Sequence, residues 1–225
     1  MKSFQHNGIK WKCRFLGEDA LLLEPDSVAG KLSLIHQFSS LIEENQIKGV
    51  IDIVPAYESL ALIFDDKIIN HIQLIKILSE SSFPKVKEKA SQLFEVPVCY
   101  DLGLDWDEVT AYSGKNKKSV IEIHSSKIYT VAMMGFLPGF VFLDGLESLI
   151  ACPRKSTPRT NIPSGAVGIG GNQTGFYSLE SPGGWNIIGR TPISFFDIAE
   201  NPPSKLTAGD RIKFQVISKT EYEEF

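Results

Sequence analysis

The sequence predicts an α+β chain: a small α/β sandwich over residues 1–93, followed by a β-barrel over residues 94–225. Two observations carry this expectation. In the N-terminal part, short strand-like runs interleave with two stretches whose apolar residues recur at helical spacing. After Tyr129 that spacing disappears, and short apolar runs alternate with Gly/Pro turns, the pattern of a closed or nearly closed barrel.

Taken in order, Lys10–Phe15 and Ala20–Glu24 read as paired strands around a Gly17-Glu18-Asp19 turn. Ser27 is placed to cap a helix whose apolar positions Val28, Leu32, Ile35, Phe38 and Ile42 keep the helical period. Gly49–Val54 and Leu60–Phe64 read as further strands. A second helix is expected from Lys67 to Ser79, burying Ile68, Ile72, Ile75 and Leu78. A last strand, Val96–Tyr100, completes a β-β-α-β-β-α-β order, which suits helices on one face of an antiparallel sheet. The polar stretch Ser79–Lys89 reads as a loop or linker. Beyond it, Asp105 and Glu108 have the spacing of a capping box for a short helix through Tyr112. Another short helix, Lys117–Ile123, ends at His124.

Composition bounds the function. With 225 residues, 43% hydrophobic and 22% charged, the chain can bury a core in one large or two small domains. A net charge of −4 argues against nucleic acid, which demands a basic face. Cys13, Cys99 and Cys152 are odd in number and widely spaced, as expected of buried thiols in a reducing cytosol. The N-terminus is too polar for a signal peptide. The longest uncharged apolar run, Ile128–Leu143, falls short of the ~20 residues of a membrane span and is interrupted by Gly135, Pro138 and Gly139. A soluble, cytoplasmic protein with no membrane contact is expected.

The chemistry concentrates between Gly135 and Pro192. This segment holds Arg154, Arg159 and Arg190, three of only five arginines in a protein whose common cation is lysine. Arginine offers a rigid bidentate fork to carboxylate or phosphate, which lysine cannot copy. From Ile162 to Gly189 the sole charged residue is Glu180. Three submotifs stand out: Gly135-Phe136-Leu137-Pro138-Gly139-Phe140; the doubled Pro-Arg of Pro153-Arg154-Lys155-Ser156-Thr157-Pro158-Arg159; and Ser181-Pro182-Gly183-Gly184-Trp185 leading into Gly189-Arg190-Thr191-Pro192. Composition alone leaves two readings even, an anion pocket or the corners of a twisted barrel tied by arginines. Trp185 can floor a pocket or, more ordinarily, fill a core.

Several standard sites are excluded. Gly170–Tyr177 copies the glycine spacing of a phosphate loop but carries Phe176 where that loop needs lysine. There is no G-x-S-x-G elbow, C-x-x-C or H-E-x-x-H, so neither a hydrolase triad of that kind nor a metal site is expected. His124, at a helix end, would be favoured as imidazolium by the dipole; capping is its default role and proton shuttling the sharper alternative.

At these motifs the chain resembles the family of Kip-type kinase inhibitors, also called allophanate hydrolase subunit 1 or the B subunit of 5-oxoprolinase (PxpB/KipI-like). The likeness runs through Val54-Pro55-Ala56-Tyr57, His124, GFLPGF, PRKSTPR, PSGAVGIGG, TGFY, SPGGW, IGRTP and Ala208-Gly209-Asp210. Ala166 departs from it, standing where a serine is expected after Gly165. The resemblance implies that the barrel is cyclophilin-like, without implying isomerase activity. It implies a subunit of a bacterial complex that opens 5-oxo-L-proline to L-glutamate with ATP, the partners being a second barrel subunit (PxpC/KipA-like) and a third subunit (PxpA-like). The alternative it implies is a regulator that docks on a sensor histidine kinase and blocks autophosphorylation. On the enzyme reading, Arg154, Arg159, Arg190 and Thr191 hold a small carboxylate-bearing substrate. Phe136, Pro138, Gly139, Phe140, Pro182, Gly183, Gly184 and Trp185 wall the pocket, and His124 and Arg159 are the catalytic candidates.

Overall fold

A computed structural model describes residues 2–26, 29–80 and 91–225. The chain divides into two compact units, Met1–Ala90 and Ser91–Phe225.

The first unit is an antiparallel sheet covered by two helices. Its elements are β1 (Lys2–His6), β2 (Ile9–Leu16), β3 (Ala20–Pro25), α1 (Lys31–Asn45), β4 (Val50–Pro55), β5 (Leu60–Phe64) and α2 (His71–Glu80), with strand order β1-β2-β3-β5-β4. Alternate residues of the central strands, Leu21 and Leu23 on β3 and Leu60, Leu62 and Phe64 on β5, are buried with Trp11, Ile35, Phe38, Leu74 and Leu78 in one cluster. β1 is not among the strands expected from apolar patterning. Its signal is the Asn7-Gly8 turn, whose left-handed φ values of 49° and 79° suit the tight hairpin to β2.

The helices depart from expectation at their starts. Ser27 and Val28 lie outside the described residues; α1 begins after Gly30 and buries Ile35, Phe38, Leu41 and Ile42. α2 starts at His71 rather than Lys67, because Asn70 caps it. The Asn70 side-chain oxygen accepts from the Ile72 and Gln73 N–H groups, and the Gln73 side chain in turn accepts from the Asn70 N–H. The later start turns the buried face. Leu74 and Leu78 point inward, whereas Ile68 and Ile72, expected to be buried, are exposed. Most of the expected Ser79–Lys89 linker lies outside the described residues.

The second unit opens with β6 (Leu93–Val98), α3 (Trp106–Ser113) and α4 (Lys117–Ser126), followed by β7 (Ile128–Met134) and β8 (Val141–Asp144). Then come β9 (Arg159–Ile162), β10 (Ala166–Gly170), β11 (Gln173–Phe176), β12 (Ser181–Gly183) and β13 (Asn186–Arg190), and finally β14 (Arg211–Val216) and α5 (Lys219–Glu223). Seven strands form one sheet in the order β13-β10-β11-β8-β7-β14-β6, while β9 and β12 pair separately. The large sheet is curled into a half-barrel. Its two edge strands meet where Cys99 and Arg190 exchange backbone hydrogen bonds of 2.9 and 3.1 Å. The strand expected at Val96–Tyr100 does not complete the first sheet: β6 pairs parallel with β14, Leu93 opposite Arg211, within the second unit. A strand's own residues state its propensity but not which distant edge it will join.

Alternation along the strands creates two cores. Val131, Val141, Leu143, Val167, Ile169, Ile188 and Phe214 are buried in one cluster. Their sequence neighbours Phe140, Phe142, Ala166 and Ile187 join Tyr177 and Trp185 in a second cluster. Gly175 is required where β11 passes β8, since a Cβ there would sit 2.1 Å from the Val141 carbonyl oxygen.

Candidate functional site

The site is organised by a carboxylate that the sequence assigns to another task. Asp105 occupies the N-cap position of α3 but makes no capping bond to the helix. Its side chain is fully buried and reaches away from the helix instead. Lys155 Nζ donates to Oδ1 at 2.6 Å, Arg159 Nη1 donates to both oxygens at 2.8 Å, and the Ile187 N–H donates to Oδ2 at 2.8 Å. Burial works to raise this carboxyl; the bonds from Lys155, Ile187 and Arg159, with the Arg159 charge, outweigh it and hold the group below the usual carboxylate range. Lys155 also donates to Glu108 Oε1 at 2.6 Å. Two cations and two carboxylates therefore neutralise one another, and the expected capping box of Asp105 and Glu108 is really an ionic clamp on the doubled Pro-Arg loop.

That clamp shapes a groove of about 550 Å³. One wall is the outer face of α3 (Glu108, Ala111, Tyr112), the other is the Pro153–Thr157 loop, and the buried Cys152 and Asn186 lie between them. The loop is fastened from below as well. The Lys155 N–H donates to the Gly184 carbonyl (2.7 Å), Asn186 Nδ2 donates to the Pro153 carbonyl (2.7 Å), and Cys152 bridges to Gly171. Burial, reinforced by the charges of Glu108 and Asp105, pushes the Cys152 thiol up, making it a weak nucleophile.

The three arginines are placed differently. Arg154 is exposed on the groove loop, its guanidinium carbon 5.9 Å from the Trp185 ring centre, and it has no ion-pair partner among the described residues. Arg159 is committed to Asp105. Arg190 ends β13, where its Nε donates to the Ser164 carbonyl at 2.7 Å; it and Thr191 are not groove-lining residues. Thr191 is buried, donating its N–H to the Gly165 carbonyl and accepting from the Ile193 N–H.

None of the aromatic and glycine motif residues is among those lining the groove. Trp185 is 5% exposed and packs edge-on against Phe140 at 5.4 Å and Phe142 at 5.7 Å, a core aromatic beneath Arg154. Phe140 also meets Tyr177 edge-on. Phe136 and Pro138 project from the turn before β8. Gly139 adopts φ 74° in that turn, against Phe196, whose Cβ would stand 2.3 Å from an added methyl. Pro182 is exposed, Gly183 pairs with Arg159, and Gly184 receives the Lys155 N–H.

His124 is a neutral core group, not a helix-end cation or a proton shuttle. It lies in the last turn of α4, fully buried and stacked 4.7 Å from Phe214. Thr174 donates its hydroxyl to the Gly168 carbonyl, so it accepts from His124 Nε2–H (2.9 Å). That leaves Nδ1 to accept from the Tyr100 hydroxyl at 2.7 Å. Burial pushes the imidazolium down to about 3, overwhelming the helix dipole. Among the described residues no three His, Cys, Asp or Glu side chains are grouped to hold a metal, and no helix is long and apolar enough to cross a membrane.

Lys155, Tyr112, Cys152 and Asn186 line the groove and Asp105 anchors its loop, and none of the five stands among the residues the sequence singles out for binding. One signal was available: two carboxylates three residues apart in one chain segment, and a loop carrying three cations in six residues in another.

The chain belongs to the carboxyltransferase domain, subdomain C and D, family, whose model matches residues 11–206. Among its relatives is the 5-oxoprolinase B subunit of Bacillus subtilis (strain 168), 37% identical with 96% of this chain and 97% of the relative covered. The B subunit of the Escherichia coli O157:H7 5-oxoprolinase is 35% identical, with 90% and 94% covered. The crystal structure of TTHA0988 superposes with a TM-score of 0.78 at 32% identity; the match takes in 89% of this chain but only 40% of that longer one.

Proposed function

We propose that the chain is a subunit of an ATP-dependent 5-oxoprolinase, working in the cytoplasm with a second barrel subunit and a third subunit to open 5-oxo-L-proline to L-glutamate. The relatives named as B subunits of 5-oxoprolinase, matched over nearly their whole lengths, support this reading, and such a designation implies other subunits. The observation that carries the site assignment is Arg154, a guanidinium without an ion-pair partner among the described residues, held over Trp185 at the edge of a groove otherwise charge-balanced. A cyclic amide bearing one carboxylate fits it: the carboxylate pairs with the Arg154 fork, and the ring lies against Tyr112, Ala111 and Pro153.

The groove binds and orients; it does not by itself supply the chemistry. Lys155 and Glu108 are engaged with each other, and the Cys152 thiol is held protonated. The ATP-dependent activation of the lactam carbonyl and the attack by water belong to the assembled complex. Of the three arginines, Arg154 takes the carboxylate; Arg159 works through Asp105, and the Arg190 side chain is bonded to the Ser164 carbonyl.

The test is reconstitution with the neighbouring subunits, measuring ATP hydrolysis that depends on 5-oxoproline with each subunit omitted in turn. Omitting this chain should abolish turnover. Arg154→Ala should raise KM by roughly tenfold or more, as loss of a charge-assisted bidentate contact does. Turnover that persists without the chain would sink the enzymatic reading.

A further inference from the structure

Both walls of the groove and the strand that carries Asn186 between them are tied to one carboxylate. Asp105 belongs to the α3 end, Lys155 and Arg159 to the basic loop, and Ile187 to β13, next to Asn186. The clamp has no slack: the carboxylate is fully buried and both of its oxygens are used, Oδ1 by two cations and Oδ2 by Arg159 and a backbone N–H. A second pair of bonds holds β13 to the same α3 end, from the Leu104 and Asp105 N–H groups to the Ile187 carbonyl at 2.8 and 3.0 Å. The carboxylate thus forgoes the helix-capping bond that its position offers and ties three separate segments to each other.

We propose that Asp105 is the positioning residue of the groove, setting the separation between α3 and the Pro153–Thr157 loop and thereby the fit of a ligand held between them at Arg154. It touches no ligand itself, because its side chain is sealed behind Lys155 and Arg159. The inference rests on the groove being the ligand site, and its test is separable from that reading.

The experiment is hydrogen exchange on the full chain, comparing wild type with Asp105→Asn. Asparagine keeps an oxygen for the Ile187 N–H but removes the charge that holds Lys155 and Arg159. The peptide spanning residues 152–157, whose Cys152 and Lys155 amides are bonded to Gly171 and Gly184, should exchange roughly tenfold faster, as for a local opening. Peptides from β7 and β14 should keep the wild-type rate. In the reconstituted complex the same variant should raise KM for 5-oxoproline about tenfold and leave kcat within about twofold, the pattern of lost ground-state fit. Acceleration across the whole second unit, or none at residues 152–157, would overturn the proposal; so would a fall in kcat at unchanged KM. If Asp105→Asn does not fold, Lys155→Met removes one strut while the Arg159 and Ile187 bonds remain, and the same localised acceleration is required of it. Arg154→Ala reports on the groove separately: an unchanged KM there removes the ligand assignment and leaves the exchange result standing.

Discussion

The barrel core should carry an acid-labile component traceable to one histidine. His124 is neutral in the folded chain, its imidazolium pushed down to about 3 from an ordinary 6.5. Because the folded value is depressed, the stabilisation is complete above 6.5 and is lost as pH falls from there towards the folded value. At pH 5 the unfolded chain holds nearly a full proton on this ring and the folded chain almost none, which costs about 2 kcal/mol; the full loss, below pH 3, approaches about 5 kcal/mol. Asp105, also depressed, titrates out of its clamp only below its ordinary 3.8, so it does not contribute at pH 5. The comparison variant is His124→Phe, which keeps a ring against Phe214 and cannot take a proton. It strands the Tyr100 hydroxyl and should be less stable by roughly 1–3 kcal/mol at pH 7.5, yet lose about 2 kcal/mol less than wild type on going to pH 5. Urea unfolding at the two pH values measures this, followed through Trp106 and Trp185 in a Trp11→Phe background so that only the second unit is seen. Equal losses in the two proteins would refute the assignment of a neutral His124.

Two further substitutions probe the packing and the clamp. Gly175→Ala should destabilise the second unit by about 3 kcal/mol or more in the same urea assay, because the new methyl meets the Val141 carbonyl at 2.1 Å and no rotamer can relieve a backbone clash between β11 and β8. A double-mutant cycle of Asp105→Asn and Arg159→Gln should return a coupling of about 1–3 kcal/mol, below the full value of a buried pair because Arg159 remains 29% exposed. Additive effects would mean that the two residues do not share the clamp.

Much of this protein is written locally. The hairpin of β2 and β3, the strand β5 and the start of α4 follow from alternation, helical period and turn residues, all of which act between near neighbours. The Asn7-Gly8 turn and the Asn70–Gln73 cap were equally local, so β1 and the true start of α2 were legible to a closer reading. The concentration of glycine, proline and arginine between Gly135 and Pro192 is equally plain in the sequence, and the groove loop Pro153–Thr157 falls inside it.

What the tertiary structure decided is which distant groups meet. β6 reads as a strand wherever it goes; only the curled sheet delivers it to β14 rather than to the first unit. Asp105 and Glu108 satisfy a capping pattern, and nothing near them in sequence announces that Lys155 and Arg159 will claim them. His124 is polar by composition and becomes a neutral core ring only because Tyr100, Thr174 and Phe214 close around it. The segment from Gly135 to Pro192 holds three similar arginines, and what separates them is what each meets in space: Asp105 for Arg159, the Ser164 carbonyl for Arg190 and the Trp185 ring for Arg154. A charge's role is fixed by its solvation and its partners in space, and a sequence lists charges without saying which of them will be brought together.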